Sequence, residues 1–230
     1  FVSKSLDPSD NPRLEFETRL LGALFHDDPA AVKKRLDQFS EAEQYRILQD
    51  HRHWQKKGKA TKEYLELVRE RGLEDQRASL VGNAIMTNVK QEGFESASKA
   101  MVDYNLSPEE HKAAVSAAVE NYSNRWDGTD ADPAEVYPWV LKEDPDRAVE
   151  LTAKALTNQI RHGQEKLQST FESALKISED IGKPEILDEF MKHNRSYGTL
   201  EQQLSHFKDE KLRNRYEDLY EVSNTLQENE

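Results

Sequence analysis

The sequence contains no cysteine, and this absence excludes several kinds of chemistry at once. The chain can form no disulfide bond, no thiol nucleophile and no cysteine-ligated zinc site. It also lacks any apolar run near the roughly 20 residues of a membrane-spanning helix, so we predict no membrane span. Cytosolic and exported proteins can both lack cysteine, and the first residue is Phe1 rather than methionine. Both compartments therefore stay open, as does a removed leader, anchor or upstream domain.

The sequence motifs that usually reveal catalysis are absent as well. There is no Gly-rich phosphate loop, no Gly-x-Ser-x-Gly turn and no His-Glu-x-x-His helix. His51 and His53 are two residues apart, which on a helix points them to different faces and predicts surface histidines rather than a shared metal site. We therefore predict no catalytic residue, no metal and no cofactor, and the sequence identifies neither a substrate nor a reaction.

Charge is unbalanced, with 44 acidic against 32 basic residues and a formal net charge of −12. Such a chain repels phosphate backbones, so we expect no nucleic acid among its partners. An acidic surface would instead steer a basic protein partner towards it. One basic run, His51 to Lys59, is interpreted as the solvated end of a helix, where positive charge suits the helix dipole.

What the sequence does contain is helical patterning. Glycine is sparse, at 9 residues, and apolar residues recur at helical spacing, as Val32, Leu36 and Phe39 do. No stretch alternates convincingly enough to be a strand, so the predicted fold class is all-α. Long helices, such as Arg13–His26, Leu73–Gln91 and Thr199–Leu226, alternate with short ones. The pattern from Pro145 to Ile181 predicts either one helix or two helices broken near residue 162.

Helix-start signals recur along the chain. An aspartate that can cap free N–H groups precedes a proline suited to the first helical position at Asp28, Asp132 and Asp144. The short helices recur with a period of roughly 31 to 40 residues, within the range of helix-pair repeats. We therefore predict a right-handed α-solenoid-like array of helix pairs, irregular towards the C-terminus. Residues 1–12 are expected to be a polar linker, 13–194 the helical-repeat domain, and 195–230 a C-terminal helical cap with a frayed end.

The Asp-Pro-x-x-Ala/Val cap, Trp139 after one such cap, and the helix-pair period together resemble divergent tetratricopeptide-like repeat proteins. The Trp/Leu-Gly/Tyr signature of that family is missing and the repeat lengths vary, which leaves HEAT-like arrays equally open. The resemblance covers most of residues 13 to 194. It implies a scaffold that binds proteins or peptides, and it transfers no functional residue.

Aromatic side chains are the candidate partner contacts. Tyr137 and Trp139 are two residues apart, so both cannot face one core, and one is expected to anchor a partner in a groove. Trp54 is the next candidate, and the competing interpretation is that all three pack between repeats. The first hypothesis is thus a non-enzymatic scaffold that binds a protein or peptide between stacked helices. The alternatives are an oligomeric structural protein, and an all-α enzyme or metal protein whose site forms only in the fold.

Overall fold

The computed structural model describes residues 12–57, 59–86, 89–123, 133–161 and 164–227. Within these ranges it contains thirteen α-helices joined by turns, and no strand beyond one isolated bridge between Lys56 and Lys59. The predicted all-α fold class is confirmed. The helices are α1 Pro12–Phe25, α2 Pro29–Leu36, α3 Glu41–Gln49, α4 Lys62–Arg71, α5 Arg77–Met86, α6 Val89–Asp103, α7 Pro108–Ser123, α8 Val136–Glu143, α9 Ala148–Arg161, α10 Leu167–Ile181, α11 Glu185–Asn194, α12 Leu200–Leu204 and α13 Glu210–Gln227.

The chain forms two compact units, which we call unit 1 (Phe1–Ala117) and unit 2 (Ala118–Glu230). Their boundary falls inside α7. The sequence places its boundary at 194/195, and both residues there belong to unit 2. In the described ranges, none of the helices combines the length and the apolar character that crossing a membrane would require.

Several helices begin where their capping residues predict. Asp28 accepts a hydrogen bond from the Ala31 N–H at 2.9 Å, and Pro29 is the first residue of α2. Ser40 and Glu43 form a reciprocal capping box at the start of α3, with the Ser40 N–H donating to Glu43 Oε2 at 2.9 Å. These contacts occupy backbone donors that a helix leaves free at its first turn, which fixes where each helix starts.

The repeated Asp-Pro cap, however, is present at only one of the two sites that the structure describes. Asp144 makes no capping hydrogen bond; its carboxylate accepts from Arg147 Nε at 2.7 Å, and the next three residues form a 3-10 turn. The ion pair with the arginine three residues on competes with the cap for the same carboxylate. The third site, Asp132, lies outside the described residues. The cap is therefore not evidence for a repeat here.

Two helices predicted to be long differ in the structure. The predicted helix Leu73–Gln91 starts four residues late, since α5 begins at Arg77. Gly93, just after the predicted end of that helix, is non-helical with a φ of 74°, as a glycine at a helix end predicts. The predicted helix Thr199–Leu226 is divided into α12 and α13, because Asp209 caps the start of the second. Between Pro145 and Ile181 the structure has two helices, α9 and α10, which is one of the two predicted alternatives.

In unit 1 the helices pack against their neighbours along the chain. α1 contacts α2 and α3, α3 contacts α4, α4 contacts α5, and α5 contacts α6. A continuous apolar cluster runs through these helices, with Trp54 and Tyr64 as its largest fully buried side chains. Successive contacts of this kind bury one face of each helix, which suits a chain with few apolar residues.

Two glycines in unit 1 allow the backbone to approach closely. A Cβ atom at Gly22 would collide with the carbonyl oxygen of His53, so α1 lies directly against the turn at His51–His53. A Cβ atom at Gly82 would lie 2.7 Å from backbone atoms of Ala113 and Ala114 in α7. Small residues at these points let α5 and α7 meet backbone to backbone.

Unit 2 is built around α9, which packs against α8, α10 and α11, while α11 also packs against α13. An aromatic cluster joins α10 to α13, where the ring centroids of Phe171 and Tyr216 are 5.0 Å apart. The buried Tyr216 hydroxyl accepts a hydrogen bond from the Asn194 amide and donates one to the Gln203 side chain. These bonds satisfy the hydroxyl inside the core and fix the position of α13 against α11.

Candidate functional site

Trp54, one of the three predicted partner contacts, has no accessible surface. Its indole N–H donates to the carbonyl oxygen of Ile47 at 3.1 Å. Its ring stacks on Tyr64, with 5.6 Å between centroids, and meets Phe25 edge to face. A side chain whose faces and polar atom are all occupied by its own core cannot anchor a partner, so Trp54 is a core residue in this conformation.

The other two predicted contacts lie in unit 2, so the structure does not bring all three into one unit. Tyr137 faces inward from α8 and is 7% exposed. Trp139 is half-buried, and Leu141, two residues further along, is exposed. The opposite orientation of Tyr137 and Trp139 follows from their spacing, and of the two only Trp139 retains substantial surface for a partner.

Two concavities in unit 1 share a wall formed by Tyr104 and Asp103. The first has a volume of about 330 Å³ and the second about 220 Å³. We call the pair the Tyr104 cleft. The loop before α4, together with α4, α5, α6 and the residues just after α6, supplies its walls. The first concavity is lined by Lys59, Ala60, Ile85, Met86, Ser96, Ala97, Lys99 and Ala100, and the second by Lys62, Leu65, Glu66, Arg69 and Asn105.

Tyr104 is held in place at both its side chain and its backbone. Its hydroxyl donates to the carbonyl oxygen of Ala60 at 2.6 Å, and its own carbonyl accepts from the Arg69 guanidinium at 3.4 Å. Burial, with a smaller contribution from the Asp103 carboxylate, raises the pKa of the Tyr104 phenol. The phenol therefore stays a neutral hydrogen-bond donor and closes one side of each concavity as a rigid wall.

A partly buried ion pair lies beside Tyr104, which directly follows α6. The Arg69 guanidinium donates two hydrogen bonds to the Glu110 carboxylate, one from Nε at 2.8 Å and one from Nη2 at 2.7 Å. This two-bond geometry strengthens arginine–carboxylate pairs. Glu110 also accepts from the Ser107 N–H at 3.1 Å, as its capping box at the start of α7. Burial alone would raise the pKa of Glu110, but hydrogen bonds from Arg69 and Ser107 outweigh it and lower that pKa.

The charge of the Tyr104 cleft differs from that of the chain as a whole. Three lysines, Lys59, Lys62 and Lys99, line it against two carboxylates, Asp103 and Glu66. The additional cation, Arg69, is neutralised by Glu110. In a chain where acidic residues outnumber basic ones, this excess of lysine around an apolar floor favours carboxylate groups on whatever binds there.

Another hollow in unit 1, of about 390 Å³, offers less to a ligand. Most of its lining is charged or polar, and two of its arginines are already engaged. Arg71 pairs with Asp37 and with Glu70, and Arg77 donates to the carbonyl oxygen of Gly72 at 3.0 Å. A site with so little apolar lining provides little binding energy for an apolar side chain of a partner.

One buried polar contact was not visible from sequence. The Tyr64 hydroxyl donates to the carbonyl oxygen of Leu48 at 2.6 Å, so its oxygen accepts from His51 Nδ1, which is 2.9 Å away. Burial, partly opposed by Asp50, lowers the pKa of His51 to about 4, so the imidazole is neutral at pH 7. His51 was predicted to lie at the surface, but it anchors its turn to α4.

Nothing in the described ranges gathers three or more histidine, aspartate or glutamate side chains closely enough to hold a metal ion. Comparison with protein-family models, characterised proteins and solved structures found no match for this chain. The geometry of the Tyr104 cleft is therefore the main guide to function. Sequence reasoning did not single out Tyr104, because its partner, Ala60, lies 44 residues away along the chain.

Proposed function

We propose that this chain is a non-enzymatic helical scaffold that binds an extended, acidic segment of a protein partner in the Tyr104 cleft. The observation that carries the proposal is the shared wall at Tyr104: it joins an apolar concavity to a polar one, with lysines around both. That combination suits a peptide segment with one apolar side chain and neighbouring carboxylates, since peptide grooves combine an anchor pocket with polar groups that orient the chain.

The architecture that supports this function is a right-handed, solenoid-like array of helix pairs. Packing of α1 to α6 against their neighbours in chain order supports it for unit 1. In such an array each helix buries one face against the next pair and leaves the other face or the gap between pairs for a partner. The Tyr104 cleft opens between consecutive elements of this kind, α4 to α6.

The size of the cleft limits what can occupy it. A volume of about 330 Å³ for the first concavity is at the lower end of the roughly 300–1,000 Å³ found for small-molecule sites. It therefore suits a single large apolar side chain better than an extended cofactor. Ala60, Ala97 and Ala100 keep the floor shallow, so a leucine-sized anchor fills it and the flanking residues lie along the second concavity.

Net charge and local charge favour different partners, and distance decides between them. The net charge of −12 would steer a basic partner from afar. At physiological salt, however, screening reduces interactions beyond about 8 Å, so groups in contact dominate the bound state. Lys62 and Lys99 are exposed at the cleft, and we therefore propose that the docking segment itself carries carboxylates.

The test uses fluorescein-labelled peptides of ten residues with a central leucine flanked by glutamates, measured by fluorescence anisotropy. Ala100→Trp fills the floor of the first concavity, and the pair Lys62→Glu with Lys99→Glu reverses the charge. We expect each change to weaken binding about tenfold, and replacement of the peptide leucine by serine to abolish it. Lys34→Glu, an exposed position on α2 outside the cleft, is the matched control and should leave binding unchanged.

Two outcomes would contradict the proposal. The first is the absence of measurable binding at millimolar peptide, with parent and variants equally folded by circular dichroism. The second is binding that Ala100→Trp leaves intact but Trp139→Ala removes. That result would place the site in unit 2, at the aromatic pair that the sequence predicts.

A further inference from the structure

α1 has an exposed apolar face in addition to the one it buries in unit 1. Phe16, Leu20 and Leu24 follow one another at four-residue intervals and are 63%, 39% and 45% exposed. Ala23 lies exposed beside them. We call these four residues the α1 ridge. Side chains spaced by four residues lie one above another on a helix, so the ridge is continuous rather than scattered.

The concentration of apolar surface on α1 is unusual for this chain. Six large apolar side chains are exposed among the described residues, and half of them belong to the α1 ridge. The other three, Val102, Leu141 and Val222, lie on three different helices. Single exposed apolar residues are common on protein surfaces, whereas a contiguous group marks an interaction site.

The ridge is complementary to itself when two copies run antiparallel. With Leu20 opposite the Leu20 of a second copy, Phe16 falls opposite Leu24. The same register places Arg13, at one end of the helix, opposite Asp27, just beyond the other end. Apolar groups thus meet in the middle and opposite charges meet at both ends, as an isologous contact requires. A parallel arrangement would instead place each charged residue against its own copy.

We propose that a second copy of this chain binds the α1 ridge, forming a two-fold symmetric antiparallel helix pair centred on Leu20. At one end of the helix the Arg13 guanidinium rests over the ring of Phe39, 5.6 Å from its centroid. This surface uses none of the residues of the Tyr104 cleft. Its failure in a test would therefore leave the proposed function untouched, and the reverse is also true.

The dimer should be weak. One helix pair with three large apolar side chains on each copy buries less than the roughly 1,200 Å² of a standard interface. Each copy also carries a formal charge of −12, which opposes association. We therefore expect a dissociation constant on the order of 100 μM at physiological salt.

Because the chain has no cysteine, single cysteines report the pairing directly. Leu20→Cys should form a disulfide-linked dimer under mild oxidation, since position 20 faces its own copy. Phe16→Cys alone should not, because its two copies would be about 12 Å apart along the axis, beyond disulfide reach. An equal mixture of Phe16→Cys and Leu24→Cys, with different tags, should crosslink to the mixed dimer. Val102→Cys, 79% exposed on α6, gives the background from random collision.

Sedimentation velocity across 10 to 500 μM protein provides the second measurement. The parent chain and Val222→Glu should both dimerise, and Leu20→Glu should stay monomeric with an unchanged circular dichroism spectrum. The proposal is overturned if the parent is a monomer throughout and Leu20→Cys crosslinks no faster than Val102→Cys. It is also overturned if Phe16→Cys crosslinks to itself as readily as Leu20→Cys. A monomer in which Leu20→Cys resists alkylation would likewise overturn it, because the chain itself would then cover the ridge.

Discussion

Acidification from pH 7.5 to pH 5 is expected to destabilise unit 1 through one side chain, His51. Its imidazole donates a hydrogen bond to the Tyr64 oxygen, and burial lowers its pKa from 6.5 to about 4. In this pH window the unfolded chain takes up a proton at His51 that the folded chain does not. Stability therefore rises with pH between about 4 and 6.5 and falls as pH drops through that range.

The size of the effect follows from the two pKa values. Integrated from pH 7.5 to pH 5, a histidine that titrates near 6.5 unfolded and near 4 folded lowers the free energy of unfolding by about 2 kcal/mol. Glu43 and Glu110, whose pKa values are lowered by hydrogen bonds in the folded state, act in the same direction. Their contribution is lost mainly below pH 4.5, so ending the titration at pH 5 separates them from His51.

Urea unfolding measures the effect if the signal comes from unit 1 alone. Trp54 reports that unit once the other two tryptophans, Trp126 and Trp139, are replaced by phenylalanine. His51→Asn places an amide N–H near the imidazole donor and removes the titration. The variant should be somewhat less stable than the parent at pH 7.5. Between pH 7.5 and pH 5, however, its free energy of unfolding should fall by about 2 kcal/mol less than that of the parent. His53→Asn, at the same turn, is the matched control. If parent and His51→Asn lose the same stability, the buried neutral imidazole is refuted.

Three further predictions concern unfolding free energies measured in urea. Gly82→Ala should lower the free energy of unfolding by about 1–3 kcal/mol, although alanine has the better helix propensity, because the alanine Cβ would overlap the backbone of α7. A neutral or stabilising result would contradict the close approach of α5 and α7. Glu110→Gln should lower the free energy of unfolding by about 2 kcal/mol. This loss is smaller than that for breaking a fully buried ion pair, because Arg69 is partly exposed. Adding Arg69→Met to Glu110→Gln should recover part of the loss. Trp54→Ala should lower the free energy of unfolding by about 3–5 kcal/mol, and Trp139→Ala by less than about 2 kcal/mol. A larger loss for Trp139→Ala would contradict the burial of Trp54 in the core.

The fold class and many helix boundaries could be predicted because they depend on local chemistry. The predicted bounds of α1 differ from the observed ones by one residue at each end. Gly182 ends α10 in a left-handed conformation, as a glycine after an apolar pattern predicts. The break between α12 and α13 was missed because its cause is partly distant: Gln168, on α10, accepts from the Lys208 N–H at 2.7 Å and from the Asp209 N–H at 3.2 Å. The helix-start signal at Asp209 could have been found, since the residue caps α13 within the same segment.

The candidate site was harder to predict because it depends on pairings between distant residues. Trp54 lies within a basic run that suggests a surface, yet its ring is enclosed by Phe25, 29 positions before it, and Tyr64, 10 positions after it. The Tyr104 cleft depends on contacts to Ala60 and Arg69 that no helical period reveals. Periodicity states which face of a helix is apolar, but not which other helix will cover it.

Buried carboxylates show how so polar a chain specifies its packing. Three charged side chains are buried among the described residues: Glu17, Glu110 and Asp144. Each is paired with an arginine that keeps contact with water, namely Arg35, Arg69 and Arg147 respectively. Such pairs add little net stability, because desolvation offsets much of the attraction, but an unmatched buried carboxylate would be strongly unfavourable. Glu17 therefore requires α1 to meet α2 at one orientation, and Glu110 does the same for α4 and α7. Where apolar residues are too few to distinguish one helix packing from another, these ion pairs determine which helices pack together and in which orientation.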